Sequence, residues 1–254
     1  MKPYDLDGRA AIVTGASSGL GVQMAEALGR HGARVALFAR RAERLSEVQQ
    51  QLAAKGIDAV DYVVDVTGEE QSRDMVEEVV FDFGRLDILV NNAGVAAVEP
   101  TEVHTLADWQ RTIATNLTGV FLLSKHAGQH MIKRKYGRVI NISSIYGGVG
   151  NTYLPASSYH ASKGAVNTFT RAVAAEWAKH NITVNAIAPG FFASEMTDGI
   201  LEQEGFREYL NSHCPMGRIG RPGELDGALL LFASDASSYI TGQVLYVDGG
   251  WFSV

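Results

Sequence analysis

The sequence has a single cysteine, Cys214, and therefore cannot form a disulfide within the chain. A protein of this length with one thiol is typical of a reducing compartment. No apolar run approaches membrane-spanning length, and the opening residues, MKPYDLDGRAAIVTG, contain no apolar core of the signal-peptide type. We therefore expect a cytoplasmic protein that does not associate with a membrane.

Positive charge is also scarce. Lysine and arginine number 22 against 28 aspartate and glutamate residues, which gives a formal net charge of -6. Because a nucleic-acid backbone attracts proteins with excess positive charge, this balance argues against nucleic acid as a partner. The sequence has no linker, repeat or low-complexity segment, and 46% of its residues are hydrophobic. We expect one domain over residues 1–254, and we predict no metal site.

The N-terminal part contains a pattern of strand, glycine-rich turn and helix. The apolar run RAAIVT (9–14) leads into GASSGLG (15–21), and a helical pattern over 22–30 precedes a second apolar run, RVALFA (34–39). Glycines at such a turn let the backbone approach a pyrophosphate, whose charge is met by free N–H groups and the helix N-terminus. The turn residues predicted to bind a dinucleotide are Gly15, Ser17, Ser18, Gly19, Leu20 and Gly21.

The second apolar run ends in Ala39, Arg40 and Arg41 rather than in an acidic residue. A carboxylate there would bond the ribose hydroxyls of the cofactor and repel a phosphate placed on them. Two arginines suit a 2′-phosphate instead. The alternative is that both arginines simply begin the next helix, although cations at a helix N-terminus are slightly unfavourable. The sequence therefore favours NADP(H) over NAD(H), with Arg40 and Arg41 as ligands of the phosphate.

Apolar runs and helical patterns alternate along the rest of the chain. Continuous apolar strands separated by helices indicate a parallel sheet covered on both faces. We predict a single-domain α/β fold of the Rossmann type, with a doubly wound parallel sheet of about seven strands flanked by helices. The later predicted strands are 59–64, 87–91, 138–142, 183–187 and 244–247, and the later helices are 42–55, 69–83, 106–133, 156–179 and 223–232.

Polar and small residues follow several of these strands. Ligands of doubly wound sheets bind beyond the carboxyl ends of the strands, so we expect these residues at the site. Asn116 is a further candidate, because its run TIATNLTGVF places poor helix formers inside a predicted helix. A polar residue on a solvent face is the alternative. The strand-end residues expected to contact the dinucleotide are Asp65, Val66, Asn92, Ala93 and Gly94.

Tyr159 and Lys163 stand four residues apart in a run with helical periodicity, so their side chains share one face. An ammonium beside a phenol favours the phenolate, and we expect the pKa of Tyr159 to fall from its reference of about 10 towards neutral. That would make Tyr159 a proton carrier. Ser144 ends the apolar run GRVINIS and could supply a second hydroxyl. A chance spacing of tyrosine and lysine is the alternative.

Pro189 and Gly190 end the seventh predicted strand, and the segment that follows breaks the alternation. We expect residues 191–214 to form a lid over the site; this range is called the lid segment below. Its apolar residues either line a substrate pocket or pack the underside of the lid, and the sequence leaves both open. We assign Pro189, Gly190 and Phe192 to cofactor binding and Phe191 and Met196 to the substrate.

Over essentially its whole length the chain resembles the short-chain dehydrogenase/reductase family. The resemblance rests on six motifs that occur in the family order: TGASSGLG at 14–21, NNAG at 91–94, Asn116, Ser144, YHASK at 159–163, and Pro189-Gly190. It implies an oxidoreductase that interconverts a secondary alcohol and a ketone with NADP(H). The family's usual homotetramer, built from paired long helices and from the last strand with its neighbouring helix, is implied as well.

The resemblance also implies roles for the site residues. Tyr159 would be the general acid in reduction and the general base in oxidation, while Lys163 would lower its pKa and hold the nicotinamide ribose. Ser144 would steady the carbonyl oxygen, and Asn116 would hold a water that links Lys163 to solvent. Ser194 stands where the family usually has a threonine that touches the nicotinamide carboxamide, so a hydroxyl is retained.

The resemblance leaves the substrate open. The loop 145–158 is longer than in many family members and carries Tyr146 and Tyr153, which with Phe191, Phe192, Met196 and Trp251 favour a hydroxysteroid or another bulky apolar alcohol. The loop and the YHASKGAV run also resemble gluconate 5-dehydrogenase-like members, but a sugar acid would need a cation beyond Lys163. The predicted substrate-binding residues are Ser144, Tyr146, Tyr153, Tyr159, Phe191 and Met196.

Two further alternatives remain. The 3-oxoacyl-carrier-protein reductases resemble the chain closely and dock an acidic carrier with two basic residues, of which one is kept as Lys135 and the other is replaced by Ala175. A dinucleotide-binding regulator without turnover would belong to a different class. It is disfavoured because such a protein would be expected to have lost part of the catalytic set Asn116, Ser144, Tyr159 and Lys163.

Overall fold

Seven strands form one parallel sheet in the computed structural model, which describes residues 4–254. The first three residues of the predicted domain lie outside this range. The strands cross the sheet in the order third, second, first, fourth, fifth, sixth, seventh, and every neighbouring pair is parallel. The predicted fold class is confirmed. The strands are β1 (Ala10–Thr14), β2 (Arg34–Ala39), β3 (Ala59–Val63), β4 (Ile88–Asn91), β5 (Gly137–Ile142), β6 (Ile182–Pro189) and β7 (Val244–Val247).

Helices cover both faces of this sheet. Successive strand residues point to opposite faces, and Ile12 and Val13 accordingly belong to two different apolar cores. The first, second and eighth helices pack on the face of Val13, and the third, fifth and sixth on the face of Ile12. Within residues 4–254 the α-helices are α1 (Gly19–Arg30), α2 (Ala42–Ala54), α3 (Glu69–Phe83), α4 (Leu106–Ile113), α5 (Gly119–Arg134), α6 (Ser157–Trp177), α7 (Phe206–His213) and α8 (Asp226–Ala233).

The carboxyl and amino ends of the central strands differ in character. The strand order reverses between β1 and β4, which opens a crevice at the carboxyl ends of these strands. At the amino ends of the same strands Asp87 is fully buried. Its carboxylate accepts a hydrogen bond from the Ala10 backbone at 2.9 Å and two from the Arg85 guanidinium at 2.6 and 2.7 Å. The bond from Ala10 fastens the amino ends of β1 and β4 to each other, and the two charge-assisted bonds from Arg85 hold the carboxylate in place.

The continuous helix predicted over 106–133 is wrong: α4 and α5 are joined by a turn of π-helix, Ala114–Thr118. Asn116 lies in this turn and is fully buried. Its Oδ1 accepts from the Val95 backbone N–H at 2.8 Å, and its Nδ2 donates to the Val95 carbonyl at 2.9 Å. A π turn adds a residue to the helical repeat and occurs frequently at functional sites. The cluster of poor helix formers marks this break in the helix.

The lid segment contains a helix, α7, that the sequence pattern did not predict. Phe206, Tyr209 and Leu210 are buried with the spacing of one helix face, and the helix begins after Gly205, whose φ is +85°. The Phe206 ring lies edge-on to Phe191 with centroids 5.0 Å apart. Part of the apolar surface of the lid segment therefore packs against its own underside. None of the helices within residues 4–254 combines the length and apolar character needed to cross a bilayer.

Candidate active site

The carboxyl ends of the strands open into a crevice with a volume of about 450 Å³. Among the residues assigned to the dinucleotide from the sequence, Gly21 alone does not line it. A side chain on Gly21 would overlap the carbonyl oxygen of Gly15, so this glycine lets the turn and α1 pack closely. The assigned residues that do line the crevice are Gly15, Ser17, Ser18, Gly19, Leu20, Arg40, Arg41, Asp65, Val66, Asn92, Ala93, Gly94, Tyr159, Lys163, Pro189, Gly190, Phe192 and Ser194.

The glycine turn has the backbone geometry that an anion needs. Gly15 and Gly19 have φ values of +65° and +55°, which residues with a side chain rarely adopt. Helix α1 begins at Gly19, and the Ser18 side chain at its N-cap makes no hydrogen bond to the first-turn N–H groups. These groups remain for another acceptor, as a pyrophosphate would require. The turn therefore fits a dinucleotide.

Asn92 holds the glycine turn in place. Its Nδ2 donates to the Thr14 carbonyl at 2.8 Å, and the Thr14 hydroxyl accepts from the backbone N–H groups of Asn92 and Ala93 at 2.9 and 2.8 Å. The ends of β1 and β4 are thus joined. We expected Asn92 to contact the dinucleotide; it lines the crevice, and its amide positions the glycine turn.

The two arginines after β2 differ in their contacts. Arg41 lies beside the glycine turn, and its Nη2 donates to the hydroxyls of Ser17 and Ser18 at 3.1 and 3.0 Å. Arg40 reaches only Asp65, at 3.9 Å. A cation at the end of β2, next to two hydroxyls, fits a phosphate on the adenosine ribose. Arg41 is the better placed of the two.

Tyr159 and Lys163 meet at the bottom of the crevice on the first turns of α6. Lys163 is 4% exposed, and its Nζ lies 5.6 Å from the centre of the Tyr159 ring. Burial lowers the pKa of Lys163 to about 8. Burial also raises the pKa of Tyr159, and hydrogen bonding with Ser144 opposes that rise. The expected fall of the Tyr159 pKa is therefore not found, because the cost of removing the phenolate from water is larger.

Asn116 lies beside this pair, and both atoms of its side-chain amide make hydrogen bonds within the protein. Besides its bonds to Val95, its Nδ2 donates to the Ser162 hydroxyl at 3.0 Å, one residue before Lys163. A side chain on Gly94 would come within 3.4 Å of the Asn116 Oδ1 and 3.6 Å of the Lys163 Nζ. The loop of Gly94 can therefore approach both groups closely. The water-holding role that the family resemblance implies for Asn116 stays a prediction.

A second cavity of about 450 Å³ adjoins the crevice and is called the side cavity below. Ser144 and Tyr159 line both spaces, so their hydroxyl groups stand where the two meet. None of the described residues lining the side cavity is a lysine or an arginine, and Glu195 is its one carboxylate. The lining residues are Gly94, Val95, Ala96, Val98, Ser144, Ile145, Tyr146, Leu154, Ala156, Tyr159, Gly190, Phe191, Glu195, Met196, Thr197 and Ile200.

Of the residues assigned to the substrate, Tyr153 alone does not line the side cavity. Its ring stacks on Tyr209 of α7 with centroids 4.6 Å apart, and its hydroxyl donates to the Glu204 carbonyl at 3.4 Å. Asn151 turns the loop by accepting from the backbone N–H groups of Tyr153 and Leu154 at 2.9 and 2.6 Å. The turn directs Leu154 into the side cavity and Tyr153 against the lid segment.

Sequence reasoning left several lining residues of the site unassigned, and Glu195 is the charged one among them. Glu195 lines both spaces and binds Arg41, a contact that joins residues far apart in the chain. His160, also unassigned, lines neither space but supports Tyr146 from behind: the two rings stack with centroids 4.7 Å apart, and His160 is fixed by Ala156 and Asn151. The only signal for His160 was its place directly after Tyr159. No local pattern pointed to Glu195.

Comparison with known proteins places this geometry in a family. A family model described as enoyl-(acyl carrier protein) reductase matches residues 15–252. The gluconate 5-dehydrogenase of Gluconobacter oxydans (strain 621H) is 40% identical over 247 residues, which cover 97% of this chain and 96% of that protein. The galactitol 2-dehydrogenase (L-tagatose-forming) of Cereibacter sphaeroides is 41% identical over 248 residues, covering 98% and 96%. These matches extend over nearly the whole length of each protein.

A solved structure agrees at the level of the fold. The gluconate 5-dehydrogenase from Burkholderia cenocepacia J2315, in complex with NADP and tartrate, superposes with a TM-score of 0.95 at 35% identity and covers 99% of this chain and 98% of that one. The fold and the site thus define a dinucleotide-binding α/β oxidoreductase that acts on CH–OH groups. The chain belongs to the short-chain dehydrogenase/reductase family.

Proposed function

We propose that the chain interconverts a secondary alcohol and its ketone with NADP(H), and that Tyr159 transfers the proton. The observation that carries this proposal is the position of Tyr159 and Ser144, whose side chains line both the crevice and the side cavity. A reacting carbon held between the two spaces would be within reach of both hydroxyls. The bound nicotinamide supplies the hydride in reduction and accepts it in oxidation.

The protonation states support the roles of the side chains. The raised pKa keeps the Tyr159 phenol protonated at neutral pH, which is the form that donates a proton to the carbonyl oxygen in reduction. Ser144 donates a hydrogen bond to the same oxygen and steadies it. The Lys163 ammonium, held by the Ile142 carbonyl at 2.6 Å, stabilises the phenolate left behind. In oxidation Tyr159 takes the proton back.

We propose NADP(H) rather than NAD(H) because of the charges at the end of β2. Arg41 and the hydroxyls of Ser17 and Ser18 form a group of donors beside the glycine turn, and the strand ends without a carboxylate. The solved relative from Burkholderia cenocepacia holds NADP. Direct titration of the purified protein with both cofactors tests the preference. Equal affinities would contradict it.

For the substrate we propose an uncharged secondary alcohol or ketone with a bulky apolar body, such as a hydroxysteroid. Support comes from the lining of the side cavity, which consists mostly of apolar side chains and has no cation among the described residues. Its volume suits a small-molecule ligand. We further propose that the lid segment covers this ligand, because Phe191, Met196 and Ile200 belong to both.

A polyol or keto-sugar is the second candidate, and the similarity to a galactitol 2-dehydrogenase and a gluconate 5-dehydrogenase favours it. A sugar acid is less well supported than a neutral polyol. Its carboxylate would meet Glu195, and among the described residues the only cation beside the reacting groups is Lys163. A 3-oxoacyl thioester is supported by a 37% identical 3-oxoacyl-[acyl-carrier-protein] reductase of Staphylococcus aureus and by the exposed Lys135, but not by Ala175.

NADPH oxidation measured by absorbance against a panel of ketones tests these proposals together. The panel contains a neutral ketosteroid, a neutral keto-sugar, 5-ketogluconate and an acetoacetyl thioester. Turnover of the ketosteroid would support the apolar proposal, and faster turnover of the keto-sugar would replace it with the second candidate. Preference for 5-ketogluconate would contradict the argument from charge. Tight NADPH binding with no turnover of any member would favour a regulator instead.

We also propose a cytoplasmic homotetramer. The single cysteine is buried and unpaired among residues 4–254, which suits a reducing compartment. The tetramer rests on the family resemblance and on exposed apolar side chains in the two regions that it implies. Light scattering of the purified protein tests it, and a monomer at working concentration would contradict it. The exposed apolar side chains that support the tetramer are Leu106, Trp109 and Phe121 on α4 and α5, and Tyr239, Leu245 and Phe252 near the C-terminus.

A further inference from the structure

The carboxylate of Glu195 occupies a cluster of donors at the edge of the crevice. Its Oε2 accepts from the Arg41 Nη2 at 2.9 Å and from the Ser18 hydroxyl at 2.9 Å, and its Oε1 accepts from the Arg41 Nη1 at 3.3 Å. Arg41 also donates to Ser17 through the same guanidinium. The carboxylate is therefore bound by an arginine fork and a hydroxyl, which is how a protein binds a phosphate group.

The donors that hold Glu195 are the ones proposed above to hold the 2′-phosphate of the cofactor. Both anions need the one guanidinium of Arg41, and a carboxylate beside a phosphate dianion is a like-charge contact. The hydrogen bonds from Arg41 and Ser18 lower the pKa of Glu195, so the carboxylate is ionised at neutral pH. NADP(H) therefore has to displace Glu195 from Arg41, whereas NAD(H) does not.

We propose that Glu195 is a specificity-determining residue, which competes with the 2′-phosphate of the cofactor for Arg41 and so reduces the preference for NADP(H). The inference rests on the proposed NADP(H) preference. Arg41 exchanges one anion for the other, and the lid segment, which carries Glu195, is released from the glycine turn when the phosphate binds. With NAD(H) the ion pair between Glu195 and Arg41 stays intact and joins the lid segment to α2.

The test compares two adenine nucleotides that differ only in the phosphate concerned. Calorimetric titration of the full chain with 2′,5′-ADP and with 5′-AMP isolates the phosphate site from the nicotinamide and from turnover. Glu195→Gln keeps the size of the side chain and removes its charge. Glu202→Gln removes one charge from an exposed position of the same segment and serves as the matched control.

We expect Glu195→Gln to bind 2′,5′-ADP about two- to fivefold more tightly than the parent protein, the range of an exposed ion pair. Binding of 5′-AMP should change much less, and Glu202→Gln should leave both affinities unchanged. Unchanged binding of 2′,5′-ADP to Glu195→Gln would overturn the inference. Equal weakening of both nucleotides would also overturn it, because Glu195 would then only fasten the lid segment.

The two proposals fail in different ways in this experiment. If the parent protein binds 2′,5′-ADP more tightly than 5′-AMP but Glu195→Gln does not differ from it, only the role of Glu195 is wrong. If the parent protein and Glu195→Gln both bind the two nucleotides equally, the phosphate site itself is wrong. Tighter binding of 2′,5′-ADP that appears only in Glu195→Gln would support the competition strongly.

Discussion

Lys163 is fixed by Ile142, whose carbonyl oxygen accepts a hydrogen bond from the Lys163 Nζ at 2.6 Å. Ile142 is the last residue of β5, so the position of the ammonium is set by the backbone of the sheet rather than by Tyr159. The centre of the Tyr159 ring is 5.6 Å away. In this arrangement burial dominates the titration of the phenol, and Tyr159 is poised as an acid.

Replacement of Tyr159 by phenylalanine should remove nearly all carbonyl reduction while NADPH still binds. The variant loses only the hydroxyl at the junction of the crevice and the side cavity, and we expect turnover to fall by about 10²–10⁴-fold, the usual contribution of a positioned proton donor. NADPH binding measured by fluorescence titration is the control. Turnover at the parent rate would remove Tyr159 from the proton transfer.

Arg41 should contribute more to NADP(H) binding than Arg40. Arg41 contacts the hydroxyls of the glycine turn, while Arg40 lies 3.9 Å from Asp65 and away from that turn. We expect Arg41→Gln to weaken NADPH binding by about tenfold or more, as a charge-assisted hydrogen bond predicts. Arg40→Gln should have a smaller effect, and Arg40→Asp should shift preference towards NADH. Titrations with both cofactors check this, and a larger effect of Arg40→Gln would contradict it.

The buried ammonium of Lys163 should make stability depend on pH. Burial lowers the pKa of Lys163 to about 8, below its value in the unfolded chain, so between these two pKa values the unfolded state binds more protons. Stability from this group therefore rises as the pH increases above about 8. Lys163→Met carries no charge and is the matched control. We expect the melting temperature of the parent protein, relative to Lys163→Met, to rise by a few degrees between neutral and alkaline pH. A constant difference would contradict the burial of a charged lysine.

Two tyrosines of one loop should respond differently to loss of the hydroxyl. Tyr146 is buried and lines the side cavity, whereas Tyr153 packs on α7 and makes only long hydrogen bonds. We expect Tyr146→Phe to change the KM for the ketone by a few-fold, because its buried hydroxyl lies beside Tyr209 and fixes a ring that lines the side cavity. Tyr153→Phe should leave KM unchanged. Steady-state kinetics at fixed NADPH checks both, and the reverse pattern would place Tyr153 in the site.

An added methyl group should be tolerated at Gly227 of α8 and should destabilise the protein at Gly21 of α1. At Gly21 it would overlap the Gly15 carbonyl, while at Gly227 of α8 it would meet no atom within 4 Å. Gly21→Ala should therefore lower the melting temperature and weaken cofactor binding. Gly227→Ala should be neutral or should stabilise by up to about 1 kcal/mol, because alanine loses less entropy in a helix. Thermal melting of both variants checks this, and similar effects would contradict the tight packing at Gly21.

The sequence was sufficient for the fold class because each strand, turn and helix has a local pattern. The glycine turn before α1 and the four-residue spacing of Tyr159 and Lys163 are of this kind. Parallel strands then bring their carboxyl ends to one edge, which is why residues distant in sequence could be assigned to one crevice. The α/β class follows from this alternation alone.

What could not be predicted depends on how distant segments meet. The ion pair of Arg41 and Glu195 joins the end of β2 to the lid segment, and no local pattern records it. Poor helix formers mark the position of the π turn, but the pairing of the Asn116 amide with Val95 of another loop has no local pattern. The direction of Tyr153 is set by the turn at Asn151 and by stacking on α7. The prediction that the pKa of Tyr159 falls was wrong for the same reason, because burial depends on how the whole chain is assembled.

The anchoring of Asp87 at the amino ends of β1 and β4 has a practical consequence. Because all strands run in one direction, the anchor at Asp87 and the crevice lie at opposite ends of the strands. Substitutions that strengthen the contacts around Asp87 should therefore raise the melting temperature without changing which alcohols are converted. Substitutions around the crevice and the side cavity should change the substrate selectivity while leaving this anchor intact.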